Sequence, residues 1–248
     1  MKSIDLKPVL RGRAVGIGSL ALLLSALFLA VRAYAMLGPP PMRGLFLLMC
    51  LAMIALPWTV LSPHGRYQIG LKFPTSGGYF MCALAIGIAA AGLCFVLGYL
   101  LYGTTADNWF VSVARTYQQQ PTQGLSLWQL HLMFTIAACL FSPIGEELFF
   151  RGFLQKVLEQ RLPARASTHL QGALFALVHL CHHGILATAA GLALLPGSGA
   201  LWVLLMFGLA WSLAWLRRAS DSLLPAVLAH AAFNATMNAC IFAFLWAR

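Results

Sequence analysis

The chain has 248 residues, 60% of them hydrophobic and only 9% charged, and its mean hydropathy is +0.82. Soluble domains carry roughly 25% charged residues, so this composition excludes one and indicates an integral membrane protein. The formal charge of +10 is scattered over short connections between apolar runs, which leaves no basic stripe for a nucleic acid to bind.

A membrane crossing needs about 20 mostly apolar residues. Runs near 14–32, 43–61, 79–102, 128–150, 169–194, 200–216 and 223–246 meet that requirement. They predict an all-α, polytopic transmembrane helical bundle of seven spans, or eight if the fifth run divides, in a single membrane domain over 1–248 with a three-span region at 1–127. The first run is preceded by basic residues and followed by Ala33-Tyr34-Ala35, as a signal peptide would be. At Ala14 to Val31 it is longer than the usual 7–15 apolar residues of such a peptide, and it is expected to be retained as a span.

With the N-terminus in the cytoplasm, Lys2, Lys7, Arg11, Arg13, Arg66, Lys72, Arg151, Lys156, Arg161, Arg165, Arg217 and Arg218 fall inside, whereas Arg32, Arg43, Arg115 and Arg248 fall outside. That asymmetry follows the positive-inside rule and suits a bacterial inner (cytoplasmic) membrane. The polar connection 103–127, with Asp107, Arg115 and Gln118-Gln119-Gln120-Pro121, then faces outside and reads as a solvated linker rather than a substrate lid. In the fifth run His182-His183-Gly184 interrupts the apolar pattern and Pro196-Gly197 closes it, which predicts a single broken crossing rather than a re-entrant hairpin. Six cysteines lie in or beside apolar runs without a CxxC pair and read as small buried hydrophobes, not as a disulfide framework.

Ionisable residues inside spans are costly and by default mark function. Three clusters qualify: Glu146, Glu147 and Arg151 on the fourth run; His179, with His182 and His183, on the fifth; and His230 with Asn234 on the seventh. Glu147 and Arg151 stand one helical turn apart and predict an ion pair. Glu146 points about 100° away and is expected to lack that partner, as a partly desolvated carboxylate suited to general base work. His230 and Asn234, also one turn apart, can aim two donors at one point, as an oxyanion requires.

Counted at about 1.5 Å per residue from the cytoplasmic ends, Glu146, His230 and His179 lie roughly 7, 10 and 15 Å deep, which predicts one shared cavity open toward the cytoplasmic half of the bilayer. Pro143 and Gly145 are expected to loosen the fourth helix there and let another backbone or a peptide approach. His64, His131 and His169 read as interhelical hydrogen-bonding groups, and His182 and His183 as lining of the helix break. Glu146, His179 and His230 also make a His₂Glu set of the type that holds catalytic zinc, although no HExxH is present.

The three clusters resemble the CAAX protease and bacteriocin-processing intramembrane peptidases, also called the Abi family, whose pattern is EExxxR, FxxxH and HxxxN on successive helices. Here these are Glu146 to Arg151, Phe175 to His179, and His230 to Asn234. The resemblance covers about 128–240, the expected catalytic core. It implies an intramembrane endopeptidase in which Glu146 activates water, His179 binds or polarises it, His230 and Asn234 stabilise the oxyanion, and Glu147 with Arg151 supports the site. It implies no cofactor, with a divalent metal such as zinc as the alternative. The partners implied are a protein or peptide substrate in the membrane and the bilayer itself, with no nucleic acid and no indication of oligomeric state. Family substrates include prenylated C-terminal peptides, bacteriocin-like leaders and C-terminal sorting tails. A metal-dependent membrane hydrolase and a non-catalytic scaffold or immunity protein are the rival classes.

Overall fold

The computed structural model describes residues 3–10, 16–188 and 191–246. Lys2, Arg11, Arg13, Ala14 and Arg248, used above for orientation and for the start of the first run, lie outside the described residues. The elements are α1 (Ile17–Leu37), α2 (Gly44–Val60, preceded by a 3₁₀ turn from Pro40), α3 (Pro63–Gln68), α4 (Gly78–Tyr102), α5 (Trp109–Gln118), α6 (Leu127–Glu146), α7 (Gln155–Leu158), α8 (Ala164–Val178), β1 (Ile185–Thr188), β2 (Gly191–Leu194), α9 (Pro196–Ala219) and α10 (Leu224–Cys240). Among the described residues six helices are long and apolar enough to cross a membrane: Ile17–Leu37, Pro40–Val60, Gly78–Tyr102, Leu127–Leu158, Pro196–Ala219 and Leu224–Leu245. The protein is a multi-pass helical bundle.

The fifth expected crossing is built differently. α8 ends at Val178, a 3₁₀ turn covers His179–Cys181, Gly184 takes φ +112°, and the chain returns as an antiparallel hairpin that pairs Ile185 with Leu194. The expected all-α bundle holds, with one short two-stranded hairpin added to it. Pro196 does not close this segment; it opens α9, at a position where its missing N–H goes unused. The direction of travel nevertheless holds. Ala164 is bonded through its carbonyl to Arg218, and Ser198 donates to Asp107 at 3.1 Å, so the two ends of this stretch lie on opposite faces of the bundle.

Those faces are defined by contacts. On one, Lys72 and Arg217 pair with Asp221, Arg218 with Glu159, and Thr75 N–H with the Ser220 carbonyl; this is the basic face. On the other, Gln118 donates to the Trp246 carbonyl at 3.0 Å. Helix starts follow local chemistry. α6 begins with a capping box in which Ser126 accepts from Gln129 N–H and the Gln129 side chain reaches back. Close helix contact rests on small residues: a Cβ at Gly87 on α4 would stand 2.2 Å from the Ala229 carbonyl oxygen on α10, so only glycine permits this approach.

The fourth helix is longer than expected. After Pro143 its hydrogen bonding shifts to π geometry over Glu147–Leu154 and then continues to Leu158. Proline in a helix interior removes one i→i−4 bond, and π turns recur at functional sites. Gly145 does admit another backbone, that of α2: a Cβ there would lie 2.8 Å from the Cys50 carbonyl oxygen. The 103–127 connection is not a solvated linker. It contains α5, capped by Asn108, with Trp109 and Phe110 fully buried. All six cysteines are free thiols.

Candidate active site

Four separate segments bring the polar groups together. The end of α6 supplies Ser142 and Glu146, and the π turn that continues it supplies Glu147 and Arg151. The turn after α8 supplies His179 and His182, α10 supplies His230 and Asn234, and α1 supplies Arg32. Glu146 and Glu147 are fully buried, and Arg32, Arg151, His179, His230 and Asn234 are each no more than 8% exposed.

Glu146 does not lack a cationic partner. Arg32 Nη1 donates to its Oε1 at 2.7 Å, and Ser142 Oγ donates to the same oxygen at 2.6 Å. The guanidinium also reaches the turn after α8, with Nη2 at 2.7 Å from His182 Nε2 and 3.4 Å from His179 Nε2. Arg32, assigned by charge pattern to the outside, is instead a buried bridge between the two clusters. The sequence signal for it was an arginine at the end of the first apolar run, where burial without a partner would be prohibitive. Glu146 Oε2 has no hydrogen-bond partner among the described residues and less than 1 Å² of exposure. Its lone pairs are free to accept from a small molecule such as water.

Glu147 meets the expected ion pair and adds a second partner. Its Oε1 accepts from Arg151 Nη1 at 3.1 Å and from His230 Nδ1 at 2.9 Å. Arg151 lies 4.0 Å from the centre of the Phe175 ring, a cation–π contact that helps to desolvate it. Phe175 in turn packs against both His179 and His230, at 4.5 and 5.8 Å between ring centres. The three motifs are thus joined through one aromatic ring.

Hydrogen-bond partners fix the tautomers of two histidines, because a carbonyl or carboxylate oxygen can only accept. His179 Nδ1 donates to the Phe175 carbonyl at 2.7 Å, so its neutral ring presents a lone pair at Nε2 toward Arg32. His230 Nδ1 donates to Glu147, so its Nε2 donates only when the ring is protonated, with Glu147 as the counter-ion. Asn234 Nδ2 donates to the Ala138 carbonyl at 2.9 Å, which leaves its second amide hydrogen.

A cavity of about 540 Å³ adjoins these groups and is lined by Arg32, Ser142, His179, His182, His230 and Asn234 at its polar end and by Phe46, Trp202, Met206 and Phe233 along its walls. Its lining also includes Arg43, Thr116, Gln120, Pro121 and Thr122, residues of the face opposite the basic one. The expected opening toward the basic half is therefore corrected. The physical reason is the longer fourth helix: Glu146 is twelve residues from Leu158, roughly 18 Å at 1.5 Å per residue, and the intervening turn is packed solid.

Residues 128–236 match the family model described as type II CAAX prenyl endopeptidase Rce1-like. The matched segment contains Glu146, Glu147, Arg151, His179, His230 and Asn234, but Arg32 on α1 lies outside it. No curated protein and no solved structure matches the chain.

The remaining histidines separate by contact. His183 is fully buried in a second network beside the site, with Nδ1 2.8 Å from Ser112 Oγ on α5 and Nε2 2.9 Å from Ser198 Oγ on α9. It ties the opposite-face helix α5 to α9 and does not face the cavity. His64 and His131 bond within their own helices, to Gln68 and Thr135, rather than between helices; His169 stacks on Phe207 of α9, 6.0 Å between ring centres. Among the described residues no three His, Cys, Asp or Glu side chains are placed to hold a metal ion. The point between Glu146 and the His179–His182 turn is occupied by the Arg32 guanidinium, so the donor set does not suit the His₂Glu site considered above.

Proposed function

We propose that the protein is an intramembrane endopeptidase of the glutamate type, hydrolysing a peptide bond of a membrane-associated protein without a metal. The observation that carries this reading is the asymmetric pairing of Glu146: one carboxylate oxygen is bound by Arg32 and Ser142, both of which line the cavity, while the other is buried without a hydrogen-bond partner among the described residues.

Arg32 and Ser142 orient the carboxylate, and Oε2 accepts a proton from water, which attacks the scissile carbonyl carbon. His179 helps to position that water. The oxyanion receives the second Asn234 amide hydrogen and, from the protonated ring, His230 Nε2–H. Glu147, held by Arg151, balances the imidazolium, and the proton taken by Glu146 passes to the leaving amine. Charged groups in a dry, preorganised site contribute more than they would in water. The excess of Lys and Arg on the basic face supports a cytoplasmic N-terminus.

The test is comparative proteomics of membrane-protein termini in cells carrying the wild type or Glu146→Gln. Termini present with the wild type and lost with Glu146→Gln are expected. Identical termini in both would reject Glu146 as the base, and stoichiometric metal in active purified protein, with loss of activity on chelation, would favour a metallohydrolase instead.

A further inference from the structure

The site is blocked on the basic side. Directly below Glu147, Phe149, Phe153 and Leu154 are fully buried and Phe150 is 3% exposed. Phe149 packs edge-on against Phe28, with 4.9 Å between ring centres, and Phe150 against Phe175 at 5.4 Å. Loop residues close the layer from beneath: a Cβ at Gly152 would touch Leu223 at 3.2 Å and Ile69 at 3.3 Å. Interiors packed to this density admit neither water nor a peptide without rearrangement.

The opposite side is open in two directions. Toward solvent, the cavity is bounded by Thr116, Gln120 and Thr122 on the connection after α4. Toward lipid, its lining includes Leu47 on α2 and Met133 on α6, which are 40% and 42% exposed, together with the exposed Ala137. A polar mouth and an apolar side gap, meeting at one cluster of ionisable groups, fit a chain that passes from water into hydrocarbon. The volume, about 540 Å³, lies within the roughly 300–1,000 Å³ of small-ligand pockets and holds an extended peptide, not a folded domain.

We infer that substrate and water enter from the face opposite the basic one, the extracytoplasmic side, and that the substrate is an extended peptide segment adjoining the extracytoplasmic end of an apolar membrane anchor, with the anchor in the gap between α2 and α6. The choice of substrate class rests on the protease reading above; the side of entry does not.

Single cysteines in the full-length protein test the side of entry with a small, charged, membrane-impermeant methanethiosulfonate, read against the parent with its six native cysteines. Thr122→Cys at the mouth and Ala138→Cys in the cavity are expected to be modified in intact cells. Asp221→Cys on the basic face is expected to react only in inverted vesicles. Ala137→Cys stands in if Ala138→Cys fails to insert. Modification of the cavity cysteine only from the Asp221 side overturns the inference, and so does its failure to react from either side.

The substrate class is tested by mapping Glu146-dependent termini. Termini on the extracytoplasmic flank of apolar segments support it, and termini on the cytoplasmic flank overturn it. If no Glu146-dependent terminus is found, the protease reading fails and the labelling still decides the route into the cavity.

Discussion

Arg32 Nη1 stands 2.7 Å from Glu146 Oε1, joining two residues 114 positions apart in the chain, both almost entirely buried. A buried pair of this kind couples stability to function, because removing one partner strands the other charge. Arg32→Ala is expected to cost about 3–5 kcal/mol, read as a lower unfolding temperature in detergent, and to abolish cleavage. Arg32→Lys should fail to restore activity, since one ammonium cannot span Glu146 and His182 as the guanidinium fork does. The double variant Arg32→Met with Glu146→Leu should recover much of the lost stability while remaining inactive. A stable, active Arg32→Ala would show that the bridge is dispensable.

Glu147 serves Arg151 and His230 through one oxygen. Glu147→Gln keeps the shape but removes the counter-ion of a protonated His230, so turnover is expected to fall at least as far as for loss of one oxyanion donor, about 10²-fold. The informative readout is kcat at constant KM, measured beside the unfolding temperature of the variant. An unchanged kcat would confine Glu147 to holding Arg151.

Asn234 uses one amide hydrogen on the Ala138 carbonyl and keeps the other. Asn234→Ala should reduce kcat by about 10²–10³-fold with little change in KM, as expected for an interaction made only in the transition state. A rise in KM at constant kcat would place Asn234 in substrate binding instead.

His183 bridges Ser112 and Ser198 without facing the cavity. His183→Ala removes one hydrogen bond from each of two buried hydroxyls, which keep Asn108 and Asp107 as partners, at about 1 kcal/mol each. It should loosen α5, seen as faster proteolysis or hydrogen exchange over 109–118, with any loss of activity recovered on cooling. Selective loss of turnover in a fully stable protein would contradict a structural role.

Much of this architecture was legible from hydropathy, because a lipid solvent requires long apolar helices that satisfy their own backbone. The six long spans, the Glu147–Arg151 pair and the delivery of three motifs to one buried cluster all follow from residue type and helical period. The fifth crossing did not, because apolar content at 169–194 is the same whether the chain is helical or, after Val178, turns into a largely exposed hairpin. Nor did α5, whose polar residues masked a buried Trp109-Phe110 face.

The sequence by itself determined which groups would be expensive to bury and spaced them on helices so that they met. Which partners they chose was decided only by tertiary packing. Arg32 reaches Glu146 because α1 lies against the turn after α8, and the cavity opens away from the basic face because a π turn filled with phenylalanine occupies the space below. Periodicity along one helix carries no information about a charge arriving from another, or about which side of a packed layer is left empty.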